Sequence, residues 1–348
     1  MKQPMQLLLA MLVIAAIGGC NKQSTENTTV APKMATPPAA PAPKTASTAT
    51  TPPVAGMHDG TFTPPAESDI PKNEFGDMVT LGKNIFVNTQ QYAKGYVGNG
   101  LNCTNCHIDN GRKADSAPLW AAYVIYPAYR KKTGQVDTIG SRIQGCFKYS
   151  MNGKAPALDS KEMTALVTYH YWLAKGAPTG VKLPGQGYLA LPKPAMEPDL
   201  TRGAEVYKNN CAVCHDENGE GRKAADGAYV FPPLWGKDSF NWGAGMHRID
   251  NAAGFIKANM PYGRGGMLTD QQAWDVALFM NSHERPKDPR AKGSIAQARD
   301  EFHDENCLYD RTPEELAALL ASKAQKASAT AAASAPGPSD GTSPATAH

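Results

Sequence analysis

The chain has 348 residues, with 35 lysines and arginines set against 32 aspartates and glutamates and a formal net charge of +3. A nucleic-acid partner demands a dense basic face or a recognition module. Neither is present, so that class is excluded.

At the N-terminus Lys2 precedes the apolar run Met5 to Ile17, and Gly18-Gly19-Cys20 follows. A charged head, an apolar middle and a small-residue exit make the plan of a secretion signal. The run is too short to span a bilayer. Ile17-Gly18-Gly19-Cys20 also resembles the bacterial lipoprotein cleavage site, where the cysteine becomes the lipidated first residue of the mature chain; plain cleavage to a soluble product is the simpler alternative. We therefore expect a signal peptide over 1–19, lipidation at Cys20, and a periplasmic protein whose only membrane contact is its lipid anchor. From Asn21 to about Pro71, Thr, Ala, Pro and Lys prevail and large apolar side chains are scarce. Such a composition does not bury enough surface to offset its ordering entropy, so 20–72 reads as a disordered tether.

About residues 73 to 310 remain, enough for two small domains. Phe75, Met78, Leu81, Gly82 and Ile85 fall on one face of a helix. Cys103-Thr104-Asn105-Cys106-His107 follows and matches CxxCH, the attachment pattern of c-type haem. Two thiols one turn apart add to the haem vinyl groups, and the adjoining His107 becomes the proximal ligand of the iron. Asp159 with Glu162 then predicts the start of a helix carrying Met163, Leu166, Val167, His170 and Leu173. The same order repeats downstream. Gly203, Val206 and Tyr207 share a helical face, Cys211-Ala212-Val213-Cys214-His215 is a second CxxCH, and Thr269 with Gln272 opens a helix carrying Ala273, Val276, Ala277 and Met280. The Gly- and Pro-rich stretch Gly227 to Gly245 is expected to wrap a haem edge without forming elements of its own. No run alternates as strands do. The fold class is all-α: two class-I-like cytochrome c domains in tandem, 73–185 and 186–290, holding two covalently bound haems c and flanked by the tether and a tail over 291–348. In that tail Thr312-Pro313-Glu314-Glu315 caps a short Ala/Leu helix, and Ser328 to His348 reads as disordered.

A sixth iron ligand is sought in the loop before each last helix. In the second domain Met260, followed by Pro261, takes that place, and its thioether favours the ferrous state; Met246, Met267 and Met280 compete with it. In the first domain the place belongs to Cys146, with Met151, Lys148 and His170 as alternatives. Cys146 and Cys307 are also the two cysteines left over once four hold haem and Cys20 carries lipid, so a disulfide between them is a further reading. If 141–151 is helical, Arg142, Cys146 and Ser150 stack on one face, and Arg130, Lys131 and Lys132 lie close by in sequence. A guanidinium fork beside a sulfur, with basic neighbours, makes a pocket for a small oxyanion.

Together with the two CxxCH motifs, Gly145-Cys146-Phe147 with Ser150 and Asn152, Phe231 to Gly236, Gly243 to Met246, and Gly254 to Lys257 through Met260-Pro261 resemble the dihaem thiosulfate dehydrogenases over roughly 70–290. The resemblance implies His/Cys ligation by His107 and Cys146 at a catalytic first haem. It implies His/Met ligation by His215 and Met260 at the second; some relatives use lysine there, but Asn259 stands at that place. It also implies a substrate pocket built from Arg142, Ser150 and an upstream basic residue, Arg130 or Lys132. The expected reaction joins two thiosulfates into tetrathionate, with tetrathionate reduction as its reverse. Electrons pass from the first haem to the second and on to a redox partner such as a small cytochrome c or a high-potential iron-sulfur protein. A plain dihaem electron shuttle, or a haem subunit of a larger complex, is the competing expectation.

Overall fold

The computed structural model describes residues 57–58, 61–303 and 307–334. The signal peptide, Cys20 and most of the tether lie outside the described residues. Among the described residues no helix is long and apolar enough to cross a membrane.

Each half is built on a pair of crossing helices. In the first, α1 (Glu74–Val87) packs on α4 (Lys161–Leu173), with α2 (Leu119–Ile125) and α3 (Ile139–Gly145) between them in sequence. In the second, α5 (Leu200–Asn210) and α6 (Ile249–Asn259) both pack on α7 (Asp270–Asn281). Both crossings use a glycine to let backbones touch. A Cβ on Gly82 would stand 2.1 Å from the Ala165 carbonyl oxygen, and one on Gly203 2.2 Å from that of Asp275. Side chains cap the helix starts: Asn73 Oδ1 accepts from Gly76 N (3.0 Å) in α1, and Thr269 Oγ1 accepts from Gln272 N (3.2 Å) in α7.

Several expectations shift. The cap of α4 is Ser160, whose hydroxyl accepts from Met163 N at 3.2 Å, and not Asp159. The buried face of α1 is Gly76, Val79, Gly82, Ile85 and Phe86, while Phe75 stays exposed. Short ribbons do form: Met57–His58 with Thr61–Phe62, Ala128–Arg130 with Gln135–Asp137, and Arg222–Lys223 with Tyr229–Phe231. The second strand of the last ribbon, Tyr229–Phe231, lies within 227–245, which is therefore not wholly irregular. The end of the tether also packs. Phe62 is buried against Trp120 (ring centroids 5.4 Å), and Arg112 Nη2 donates to the Pro64 carbonyl at 3.0 Å. One large apolar side chain in an otherwise poor segment suffices to seat it.

α6 carries no local signature in the sequence. Its first residue follows Arg248, which supplies no side-chain cap, and Gly254 sits mid-helix where a Cβ would meet the Leu189 carbonyl oxygen at 2.0 Å. Local signals for a helix are therefore weak, and long-range packing decides. The tail is likewise more ordered than expected. α8 (Ile295–Phe302) precedes a buried cluster of Cys307, Leu308 and Tyr309 with Trp242 and Leu278. α9 (Pro313–Ser334) runs past Ser328, where the composition predicts disorder.

The halves share one apolar core. Phe240, Ala244, Met246 and Phe255 of the second half complete the cluster formed by Val79, Ile85, Phe147, Met151 and Leu166 of the first. Buried asparagines stitch the junction. Asn99 Nδ2 donates to the carbonyls of Ser150 (2.8 Å) and Ser239 (3.1 Å), Asn241 Nδ2 to Lys148 O (3.0 Å), and Asn259 Nδ2 to Asp115 O (3.1 Å).

Candidate haem sites and anion pocket

The first CxxCH lies where the chain turns back from α1. Cys103 N donates to the buried Thr89 Oγ1 at 3.1 Å, fixing the start of the motif. His107 Nδ1 lies 2.7 Å from the Ala117 carbonyl. A carbonyl only accepts, so Nδ1 carries the hydrogen and Nε2 keeps the lone pair a metal needs. Ala117 adopts φ 53°, a left-handed conformation costing an alanine about 1–2 kcal/mol, and this conformation belongs to the residue whose carbonyl meets the imidazole. Burial holds His107 down near 4, keeping the ring neutral. Burial also pushes the Cys103 and Cys106 thiols up to about 12. Thioether sulfurs carry no charge and suit such a place, so the residues present fit a covalently held haem.

The second motif repeats the arrangement. Cys211 closes α5, Ala212–His215 forms one short turn, and His215 Nδ1 meets the Pro232 carbonyl at 2.9 Å, again leaving Nε2 open. Burial raises the Cys211 thiol to about 12 and lowers His215. Tyr207, Trp235 and Phe279 pack around it (Tyr207–Trp235 centroids 5.0 Å).

The condition that 141–151 be helical is met only in part. α3 ends at Gly145 and Cys146–Ser150 winds as a single π-turn, a device common at functional sites. Arg142 Nη1 donates to Cys146 Sγ at 2.8 Å, a charge-assisted contact across the α-to-π transition. Cys146 carries no disulfide, so the bridge to Cys307 is not formed. The negative charge of a Cys146 thiolate helps raise Cys103 and Cys106, and the Arg142 cation helps lower His107. These residues therefore lie near enough to feel one another's charge. Arg142 itself is raised, first by Cys146 and further by Tyr126 and Tyr188. The two tyrosines escaped sequence reading because the chain brings them in from distant loops.

The other predicted pocket residues divide. Lys132 donates to the Gly243 carbonyl and lies 3.7 Å from the Tyr149 ring centroid. Burial, then Arg290 and Arg142, push it down to about 7. Arg130 is instead tied to buried Asp137 at 3.2 Å, which offsets its charge. Of the two upstream candidates, Lys132 is therefore the one with no carboxylate partner within ion-pair distance among the described residues. Lys131 is exposed. Ser150 sits in the π-turn with its carbonyl bound to Asn99, and the hydroxyl makes no contact with Cys146 that defines a role.

Among the alternative ligands, Met151 is core, Lys148 is exposed, and His170 donates through Nδ1 to Leu166 O at 2.7 Å within α4. Met260 caps the C-terminal end of α6 and packs against the apolar clusters of both halves. Met246 belongs to the first-half cluster, Met280 to the core face of α7, and Met267 is 46% exposed.

Known proteins resemble the chain in both halves. The SoxA/TsdA cytochrome c domain family matches residues 89–179, and the cytochrome c family matches 200–284. Thiosulfate dehydrogenase from Stutzerimonas stutzeri is 57% identical over 249 residues, covering 71% of this chain and 81% of the relative. That from Thiomonas intermedia is 58% identical over 243 residues, covering 70% and 77%. The solved thiosulfate dehydrogenase TsdBA of Marichromatium purpuratum superposes with a TM-score of 0.70 at 49% identity, covering 72% of this chain and 56% of that one.

Proposed function

Because this chain belongs to the thiosulfate dehydrogenase family, we propose that it joins two thiosulfate ions into tetrathionate with release of two electrons. The observation that carries the reading is the Arg142–Cys146 contact at 2.8 Å, within electrostatic reach of Cys103, Cys106 and His107. His107 and Cys146 would hold the first haem iron and His215 and Met260 the second, and the two bound haems supply acceptance of one electron each.

The chain's own groups do the rest. Arg142 receives the oxyanion, and Lys132, when charged, offsets the repulsion between two dianions. The sulfur of Cys146 bonds to the outer sulfur of the first thiosulfate as two electrons leave. This gives a cysteine thiosulfonate, Cys–S–S–SO3 with one negative charge. A second thiosulfate then attacks the sulfur bearing the sulfonate, releasing tetrathionate and returning the Cys146 thiolate. Arg142 hydrogen-bonds that sulfur throughout and stabilises it best when it leaves with charge. Ser150 and Arg130 border this pocket in our reading and act less directly.

The reading includes export and lipid anchoring at Cys20, supported by the N-terminal pattern, and delivery of electrons to a small cytochrome c or high-potential iron-sulfur protein. Changing Cys146→Gly tests the core of it. Thiosulfate-dependent reduction of an acceptor should fall by on the order of a thousandfold or more while both haems stay attached. Persisting activity would leave an electron shuttle.

A further inference from the structure

Outside the haem sites, three metal-ligating side chains converge where the tail meets the second half. His247 lies in the turn Gly245–His247, His303 follows α8, and Cys307 belongs to the buried tail cluster. One ligand atom from each lies within 4.8 Å of the others, and His247 Nε2 and His303 Nδ1 are 3.1 Å apart.

The hydrogen bonds around the two imidazoles are revealing. His247 Nδ1 lies 2.7 Å from the Ala244 carbonyl, which only accepts, so the hydrogen is there. His303 Nε2 lies 3.0 Å from the buried Asp288 carboxylate, so its hydrogen is there. The remaining nitrogens, His247 Nε2 and His303 Nδ1, therefore point lone pairs at each other across 3.1 Å. Two lone pairs at that range repel unless a cation lies between them: either an extra proton or a metal ion.

We propose that His247, His303 and Cys307 bind one zinc ion, with water as fourth ligand, and so clip the tail to the second haem domain. Tetrahedral zinc at its usual 2.0–2.1 Å bonds sets two nitrogens about 3.3 Å apart, close to the spacing found. The outer partners are those a zinc site uses. A backbone carbonyl and a carboxylate each hold the far N–H of a ligating histidine, fixing ring and tautomer. Tyr309 N points its hydrogen at Cys307 Sγ at 3.4 Å, which suits a sulfur carrying charge. Asp288 is itself anchored by Arg290 at 2.7 Å, so the carboxylate is held in place. The chemistry is independent of the haem irons and of thiosulfate.

The haems make the test quantitative, since two irons per chain provide an internal standard. The full-length holoprotein is stripped with a chelator, given zinc chloride, desalted and analysed for zinc and iron. We expect one zinc for every two irons, and X-ray absorption at the zinc edge showing one sulfur near about 2.3 Å and nitrogens near about 2.0 Å. Cys307→Ser and His247→Gln should lose the zinc with haem content unchanged, and Asp288→Asn should weaken affinity about 10–100-fold. Wild-type protein that retains no zinc, or holds it only through light atoms, overturns the proposal and leaves a shared proton between the histidines. Retention of copper with refusal of zinc overturns it also. Should Cys307→Ser fail to fold, the wild-type absorption spectrum decides alone.

Discussion

The two haem domains agree on one side of the cofactor and disagree on the other. Both cross their first and last helices at a glycine, and both aim a histidine's Nε2 by tying Nδ1 to a backbone carbonyl. On the proposed distal side the first domain offers a π-turn, a cysteine and a half-buried guanidinium, while the second offers a methionine at a helix end. The shared half is what holding a haem requires, and the divergent half is where roles separate. With Cys146 and Met260 as the proposed ligands, a thiolate favours ferric iron and a thioether ferrous iron, so the second haem would be the better electron acceptor of the pair.

The sharpest way to break this contrast is to make the first domain like the second. Cys146→Met should abolish thiosulfate oxidation, by on the order of a thousandfold or more. It should also raise the potential of the first haem toward that of the second, read by potentiometry and low-temperature spin resonance. A variant that keeps both its activity and a thiolate signal would refute the ligand assignment. Next in size is Arg142→Lys, which keeps a charge and loses the fork. Losing a hydrogen bond to a charged group costs about 1.5–3 kcal/mol, or about 10–150-fold in kcat/KM, and acceptor reduction by artificial donors should persist. Stability tests the shared half: Gly82→Ala and Gly203→Ala each press a methyl against a backbone oxygen and should each cost about 1–3 kcal/mol in denaturant unfolding. Markedly unequal losses would deny the common frame.

The smallest effect is a pH dependence confined to the first domain. Lys132 is held down to about 7, so it is charged below that pH and neutral above it. Its attraction for thiosulfate is therefore present at low pH and lost as pH rises, and KM should climb several-fold between about pH 7 and pH 8.5 with kcat little changed. Lys132→Arg should flatten the profile over that range.

Most of the shared half was legible in the sequence, because CxxCH and the Thr269–Gln272 box are local patterns with local physical causes. Cys146 and Arg142 were legible too, being one helical turn apart. What stayed hidden depends on distant contacts. α6 lacks a side-chain cap and carries Gly254 mid-helix, so only its packing partners reveal it. Tyr126 and Tyr188 approach Arg142 from loops whose paths no periodicity encodes. The ion pair of Arg130 with Asp137 follows from the hairpin register that sets Ala128 opposite Asp137 and Arg130 opposite Gln135, and thus from strand pairing over three residues too short to announce themselves.

The asparagines at the junction bear on how separable the duplicated halves remain. A cut near residue 185 would strip Asn99 of its bond to the Ser239 carbonyl and the Lys148 carbonyl of its donor Asn241, and lay open the apolar surface that Phe240, Met246 and Phe255 cover. The products would be two sticky fragments instead of two working cytochromes. The seam between the two modules is thus as much a part of the fold as either one.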